Sequence, residues 1–268
     1  MRFALENALF QFKRLLLRLT RNWLRIALLL LALYSGLPWL APTLAKLGLD
    51  GPAELLYTLY SPFCHQFAFR SPFLFGEQAF YPRRAAGAGY QPFEAYASES
   101  EAFLEQYRFW ASVFGSRAPA PPGTSDRLGE YSVAQQLAAR HFIGDENLGY
   151  KTSLCARDLA IYTMLFAGGL IYRRYRWRIR PLPLWLFILV GLGPVGLDGF
   201  SQLLSYPPFE FWPVRETAPI FRIVTGGLFG LMSAWLGFPH IERSMQDLGQ
   251  ALANDLEPEK SLGSRPLL

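Results

Sequence analysis

The sequence is poor in the residues that most often carry chemistry. It has two cysteines, Cys64 and Cys155, and three histidines among 268 residues. A disulfide-rich scaffold is therefore excluded, and thiol chemistry is confined to one pair. No small-residue cleavage site follows the first apolar block, which argues for a retained anchor over a secretory signal. No inverted repeat is visible, which weighs against a transporter made from one chain. The net charge is +5, yet the basic residues flank apolar blocks instead of alternating with aromatics on a polar face. Nucleic acid is not an expected partner.

What the chain has is long apolar runs. Mean hydropathy is only +0.13 because a polar stretch, residues 76–151, dilutes the rest. Four blocks stand out: Trp23 to Leu40, Leu154 to Tyr172, Leu182 to Leu204 and Ala218 to Phe238. Each is about 20 residues long, enough to cross roughly 30 Å of hydrocarbon. Lys and Arg in short flanking segments favour the cytoplasm. Arg2, Lys13, Arg14, Arg18, Arg21 and Arg25 precede the first block, and Arg173, Arg174, Arg176, Arg178 and Arg180 separate the second from the third.

The expectation is an all-α, multi-pass plasma-membrane protein with the lipid bilayer as its main partner. It has about four transmembrane helices, cytoplasmic N and C termini, and a helical extracytoplasmic insert between spans one and two. The chain divides into a basic segment (1–22), a first span with an external Cys-His-Gln region (23–75), the insert (76–151), a three-span core (152–239) and a cytoplasmic tail (240–268). In the insert, Glu94 to Phe114 and Tyr131 to Phe142 have helical apolar spacing around a Pro/Gly-rich connector, Gly115 to Gly129. It suggests a lid or a surface for a protein partner. Glu54 to Phe69 suits an interfacial or re-entrant helix, and Ile241 to Glu257 an amphipathic one.

Ionisable groups inside apolar spans are costly unless paired or facing a cavity. Arg157 and Asp158 open span two, Asp198 and Gln202 lie near the end of span three, Arg215 and Glu216 precede span four, and Arg222 and Thr225 sit in its first turns. Cys64, His65, Gln66 and Arg70 belong to the same external level, as does Cys155. The bland alternative is that Arg157 and Arg222 pair with Asp158, Asp198 or Glu216 only to hold helices together. Gly191, Pro194, Gly196 and Gly199 should weaken span three near Asp198.

The two cysteines allow a Cys64–Cys155 disulfide, or a transition-metal site, zinc for example, built from Cys64, His65, Cys155 and Asp198 or Asp158. Adjacent Cys64 and His65 point apart in a regular helix, which counts against chelation through both. Gly191-Leu192-Gly193-Pro194-Val195-Gly196 matches a dinucleotide fingerprint but lies in a membrane-length block with no βαβ pattern. Gly226, Gly230, Ser233 and Gly237 form a small-residue stripe suited to helix packing. His141 and His240 are isolated.

Phe63-Cys64-His65-Gln66 with Arg70-Ser71, Leu154-Cys155-Ala156-Arg157-Asp158 with Ile161-Tyr162, Leu197-Asp198-Gly199 with Gln202, and Arg215-Glu216-Thr217 with Arg222 and Thr225-Gly226 resemble the domain-of-unknown-function 2085 family of predicted prokaryotic membrane proteins. The resemblance runs from about Tyr57 to Gly230, outside the insert. Relatives usually have a short loop where this chain has the insert, and many carry Cys where Asp158 stands. The resemblance implies a shared external site and no known activity. Three functions are compatible: a redox, metal or anionic-ligand site; a non-enzymatic assembly or binding subunit with a structural disulfide; and a transporter or lipid-headgroup handler.

Overall fold

The computed structural model describes residues 2–115, 128–129, 132–176 and 178–262, with side chains between residues 5 and 256. The expected connector at 115–129 therefore lies largely outside the described residues, as does the chain beyond Leu262. The protein is mostly helical, and three of its helices are long and apolar enough to cross a membrane.

Helix α1 runs Arg2–Lys46, about 67 Å at 1.5 Å per residue, roughly twice the hydrocarbon thickness. The first span is thus the middle of a longer rod. Helix α2, Asp50–Tyr60, folds back on the C-terminal end of α1 through Ala53, Leu56 and Tyr57 against Ala41 and Ala45. At 11 residues it is too short to cross. It replaces the expected helix to Phe69, because the chain leaves it at Tyr60 for the turn that carries Cys64.

The insert is not purely helical. Strand β1 (Phe73–Leu74) pairs antiparallel with β3 (Gly149–Lys151), which pairs antiparallel with β2 (Gly144–Asp145). The register Phe73 to Lys151 ties the two ends of the insert together. Gly149 has φ 73°, and a Cβ there would lie 2.2 Å from the Leu74 carbonyl oxygen, so only glycine fits. The single helix expected over Glu94 to Phe114 is two, α3 (Phe93–Ala97) and α4 (Glu101–Val113), divided where the Ser100 hydroxyl accepts the Phe103 N–H at 3.2 Å as an N-cap. Helix α5, Val133–His141, completes the layer. Phe67, Phe69, Phe93, Phe103, Phe142 and Leu148 are among the residues of its core, so the insert is rooted on the segment just after Cys64.

Helix α6, Ala156–Tyr175, is 20 residues long, but Arg157 and Asp158 in its first turn and Arg173 and Arg174 in its last make it less apolar than the other three. Helix α7, Leu184–Leu203, widens to π-helical turns over Phe187–Leu192. Pro194 follows; it has no N–H to give and its ring crowds the preceding turn. The weakening expected around Asp198 therefore falls about two to three turns earlier, and Asp198 itself is in regular α-helix. Helix α8, Pro219–Leu262, fuses the expected fourth span and the expected tail helix into one rod. Its second half runs antiparallel to the start of α1. The Trp23 indole donates to Glu242 at 3.1 Å, and Lys13 pairs with Asp255 at 3.6 Å.

Helices α6 and α8 approach closely enough that a Cβ on Gly230 would meet the Ile161 carbonyl oxygen at 2.1 Å, and one on Gly226 the Arg157 carbonyl oxygen at 2.6 Å. Gly237, the last member of the small-residue stripe, has nothing within 4 Å. Gly230→Val should lower stability in detergent by about 1–3 kcal/mol through overpacking, and Gly237→Val should leave it nearly unchanged. Thermal unfolding of the two variants checks the contact.

Candidate functional site

Cys64 lies in the turn between α2 and the insert. The turn is held by Gln66, which has φ 54°, an uncommon conformation for a residue other than glycine. Its buried side-chain amide donates to the Tyr57 carbonyl at 2.8 Å and the Ser153 carbonyl at 2.9 Å. This clamps the turn to the linker before α6. A second clamp is Lys151, fully buried, whose ammonium donates to the carbonyls of Gln66, Ala139 and Arg140 at 2.6, 3.0 and 2.6 Å.

Cys155 occupies the N-cap position of α6, directly beside Cys64. The Cys155 N–H donates to Cys64 Sγ at 3.3 Å, the Gln66 N–H does so at 3.4 Å, and Cys155 Sγ donates to Asp158 Oδ2 at 3.2 Å. One ligand atom from each of Cys64, Cys155 and Asp158 lies within 4.8 Å of the others. Both cysteines are free thiols, so the alternative Cys64–Cys155 disulfide is not formed in this structure. Burial and the Arg70 and Arg140 charges lower the pKa of His65, which favours the neutral imidazole.

Of the metal set expected from sequence, Cys64 and Cys155 come together, whereas His65 and Asp198 do not join them. Asp198 is absent from the cluster because its carboxylate is taken by Arg157, by Arg215 at 2.9 Å and by the Thr217 hydroxyl at 2.8 Å. Asp158, three residues after Cys155 on the first turn, supplies the carboxylate instead. His65 shares the cavity with the cluster without belonging to it.

Behind the cluster lies a charged network. Glu216 accepts from Arg70 at 2.6 Å, Arg222 at 2.7 Å, the Tyr206 hydroxyl at 2.5 Å and the Gln202 amide. Burial pushes the Glu216 carboxyl up, but the Arg70 and Arg222 charges overcome this and hold it at about 2. These groups border a cavity of about 460 Å³, whose wall includes Cys64, His65, Gln66, Arg70, Cys155, Arg157, Asp158, Gln202 and Arg222. Asp198 and Glu216 sit behind the arginines, Arg215 lies off the wall with a side chain 41% exposed, and Thr225 bonds back to the Phe221 carbonyl at 2.7 Å.

Tyr206 and Gln136 also line the cavity. Neither carries a sequence signal, since one comes from a loop and the other from α5 of the insert. A larger apolar cavity, about 720 Å³, lies at the other end of α6 beside Arg178, Arg180 and Trp235, with no thiol, imidazole or carboxylate on its wall.

Glu216 has a pKa of about 2 in the folded protein against an ordinary 4.5. Its stabilisation is therefore fully present above about pH 4.5 and lost as pH falls toward 2. Glu216→Gln should be less stable than the parent at pH 7, and its unfolding temperature should change less between pH 4.5 and 2. Melting curves across that range measure both.

Comparison with known proteins adds no activity. No curated protein and no solved structure matches the chain. A family model described as "Predicted membrane protein (DUF2085)" matches residues 136–236, a segment that includes Cys155, Arg157, Asp158, Asp198, Glu216 and Arg222. Over that segment, less than half of its length, the chain is similar to the DUF2085 family of predicted membrane proteins.

Proposed function

We propose that the chain is a four-span plasma-membrane protein, with both termini in the cytoplasm, that holds a thiophilic metal ion such as zinc in an extracytoplasmic pocket. The span added to the three long apolar helices is α6. From Arg157 to Arg173 it rises about 24 Å, and charged side chains at both ends can reach the interfaces. Its basic end adjoins the positively charged start of α1, through the shared contacts of Trp23 and Arg176 with Glu242. This supports the orientation expected from the positive-inside rule.

The observation that carries the metal reading is the convergence of Cys64, Cys155 and Asp158 within 4.8 Å. Two thiolates about 2.3 Å from a tetrahedral zinc stand about 3.8 Å apart, a spacing that small side-chain rotations can reach. Three protein ligands leave a fourth position for water or a ligand, as in reactive zinc sites. The Cys64 thiol is pushed up by its hydrogen bond with the Cys155 sulfur and then by burial. Metal must therefore displace a proton, and affinity should rise with pH.

Elemental analysis of the purified protein should give about one metal ion per chain at pH 8 and clearly less at pH 6, with little in Cys64→Ser or Cys155→Ser. Metal-free protein at pH 8 after zinc supplementation sinks the reading. The second reading, an assembly subunit stapled by a Cys64–Cys155 disulfide in the oxidising exterior, is favoured by the same closeness of the two sulfurs. Thiol labelling separates them: the disulfide requires both cysteines to label only after reduction, whereas bound metal makes labelling depend on a chelator.

A further inference from the structure

The arginines of the cavity have donors to spare. Arg70 uses Nε and Nη2 on Glu216 and Tyr206, and Arg222 uses Nε and Nη2 on the Thr217 carbonyl, Gln202 and Glu216. Arg157 uses only Nη2, on Asp198. The Nη1 amino group of each, two N–H donors apiece, bonds to no acceptor among the described residues. Arg222 is only 3% exposed, so its remaining donors face the cavity or the packed interior and have little access to bulk water.

The carboxylates that fix these guanidinium groups stand outside the cavity wall, and Asp158 is the one carboxylate on that wall among the described residues. The positive excess therefore points inward. The first turn of the 20-residue α6 opens on the same space and adds the positive end of a helix dipole. Held guanidinium edges and a helix N-terminus suit a tetrahedral oxyanion, since Arg donates two parallel hydrogen bonds to phosphate.

The surroundings suggest where such an anion comes from. Around the cavity mouth and the loop between α7 and α8, Phe63, Phe200, Phe209, Phe211 and Trp212 are exposed, as expected of an aromatic belt at headgroup level. We infer that the cavity binds a phosphate ester, presented by a phospholipid headgroup or by a small phosphorylated solute. This deepens the reading of the cavity as a binding site, but it rests on Arg70, Arg157 and Arg222 and is independent of the thiols.

The test uses full-length protein in dodecyl maltoside, a detergent that contains no phosphorus. Inorganic phosphate, glycerol 3-phosphate and phosphatidylglycerol in mixed micelles are titrated by calorimetry, and metal content is measured on the same samples. Arg157→Lys and Arg70→Lys keep the positive charge but lose the second guanidinium edge, and each should weaken binding at least tenfold. Arg108→Lys, on the exposed face of α4 and away from the cavity, should bind as the parent does. Tighter binding of phosphatidylglycerol than of glycerol 3-phosphate identifies a lipid ligand, and equal binding a soluble one. No binding of any of the three, or equal binding by the parent and both cavity-lining lysine variants, overturns the inference. Loss of phosphate binding with metal retained leaves the metal site standing, and phosphate binding by metal-free protein removes the metal site alone.

Discussion

Two carboxylates hold together the half of this molecule that carries the cysteines. Glu216 and Asp198 are each at most 9% exposed, and a buried charge without partners is costly enough that such a group must be paired or neutralised. Each is paired more than once: Glu216 with Arg70 and Arg222, Asp198 with Arg157 and Arg215. The partners come from the segment after Cys64, from α6, from the loop before α8 and from α8 itself. Satisfying the two charges therefore brings together pieces that apolar packing in a lipid environment would leave free to slide. Removing one partner of such a pair typically costs about 3–5 kcal/mol, so the arrangement resists piecemeal change. Three of the four arginines that hold these carboxylates also line the cavity in front of them.

The thiol cluster depends on that frame. Cys155 is held at the mouth of α6 because Arg157, two residues on, is anchored to Asp198, and Cys64 is brought to it by the amide clamp of Gln66. Lys151 then fastens the insert over the same turn by satisfying three carbonyls at once, which only a group with three donors can do. The insert contributes Gln136 to the cavity wall and shares Phe67 and Phe69 with the turn in its core. It is thus part of the site's outer wall, and its aromatic packing positions the cysteine turn.

Much of this was legible in the sequence and some was not, for reasons that can be named residue by residue. The apolar runs marked the membrane-length helices because a 20-residue block has few other uses. The positions of Arg157, Asp158, Asp198, Glu216 and Arg222 near block ends marked one level, because charges are admitted to lipid only where they can be paired or hydrated. The extent of α1 and α8 was hidden. The N-terminal half of α1 and the C-terminal half of α8 are amphipathic, and the drop in hydropathy at His240 looks like a boundary although the backbone continues through it. The three strands are two or three residues long, too short for an alternation to register.

The sequence by itself determined which residues had to avoid lipid and that they fall near the ends of the apolar blocks, since burial cost and helix rise are local properties of the chain. Only the tertiary structure decided the pairings. It gave Asp198 to two arginines and left Asp158 to the thiols, and it turned the cysteine pair into neighbours across an insert of about 75 residues. It also set three arginines on the wall of one cavity. Those outcomes depend on distances between segments remote in the chain, which no spacing along the chain encodes.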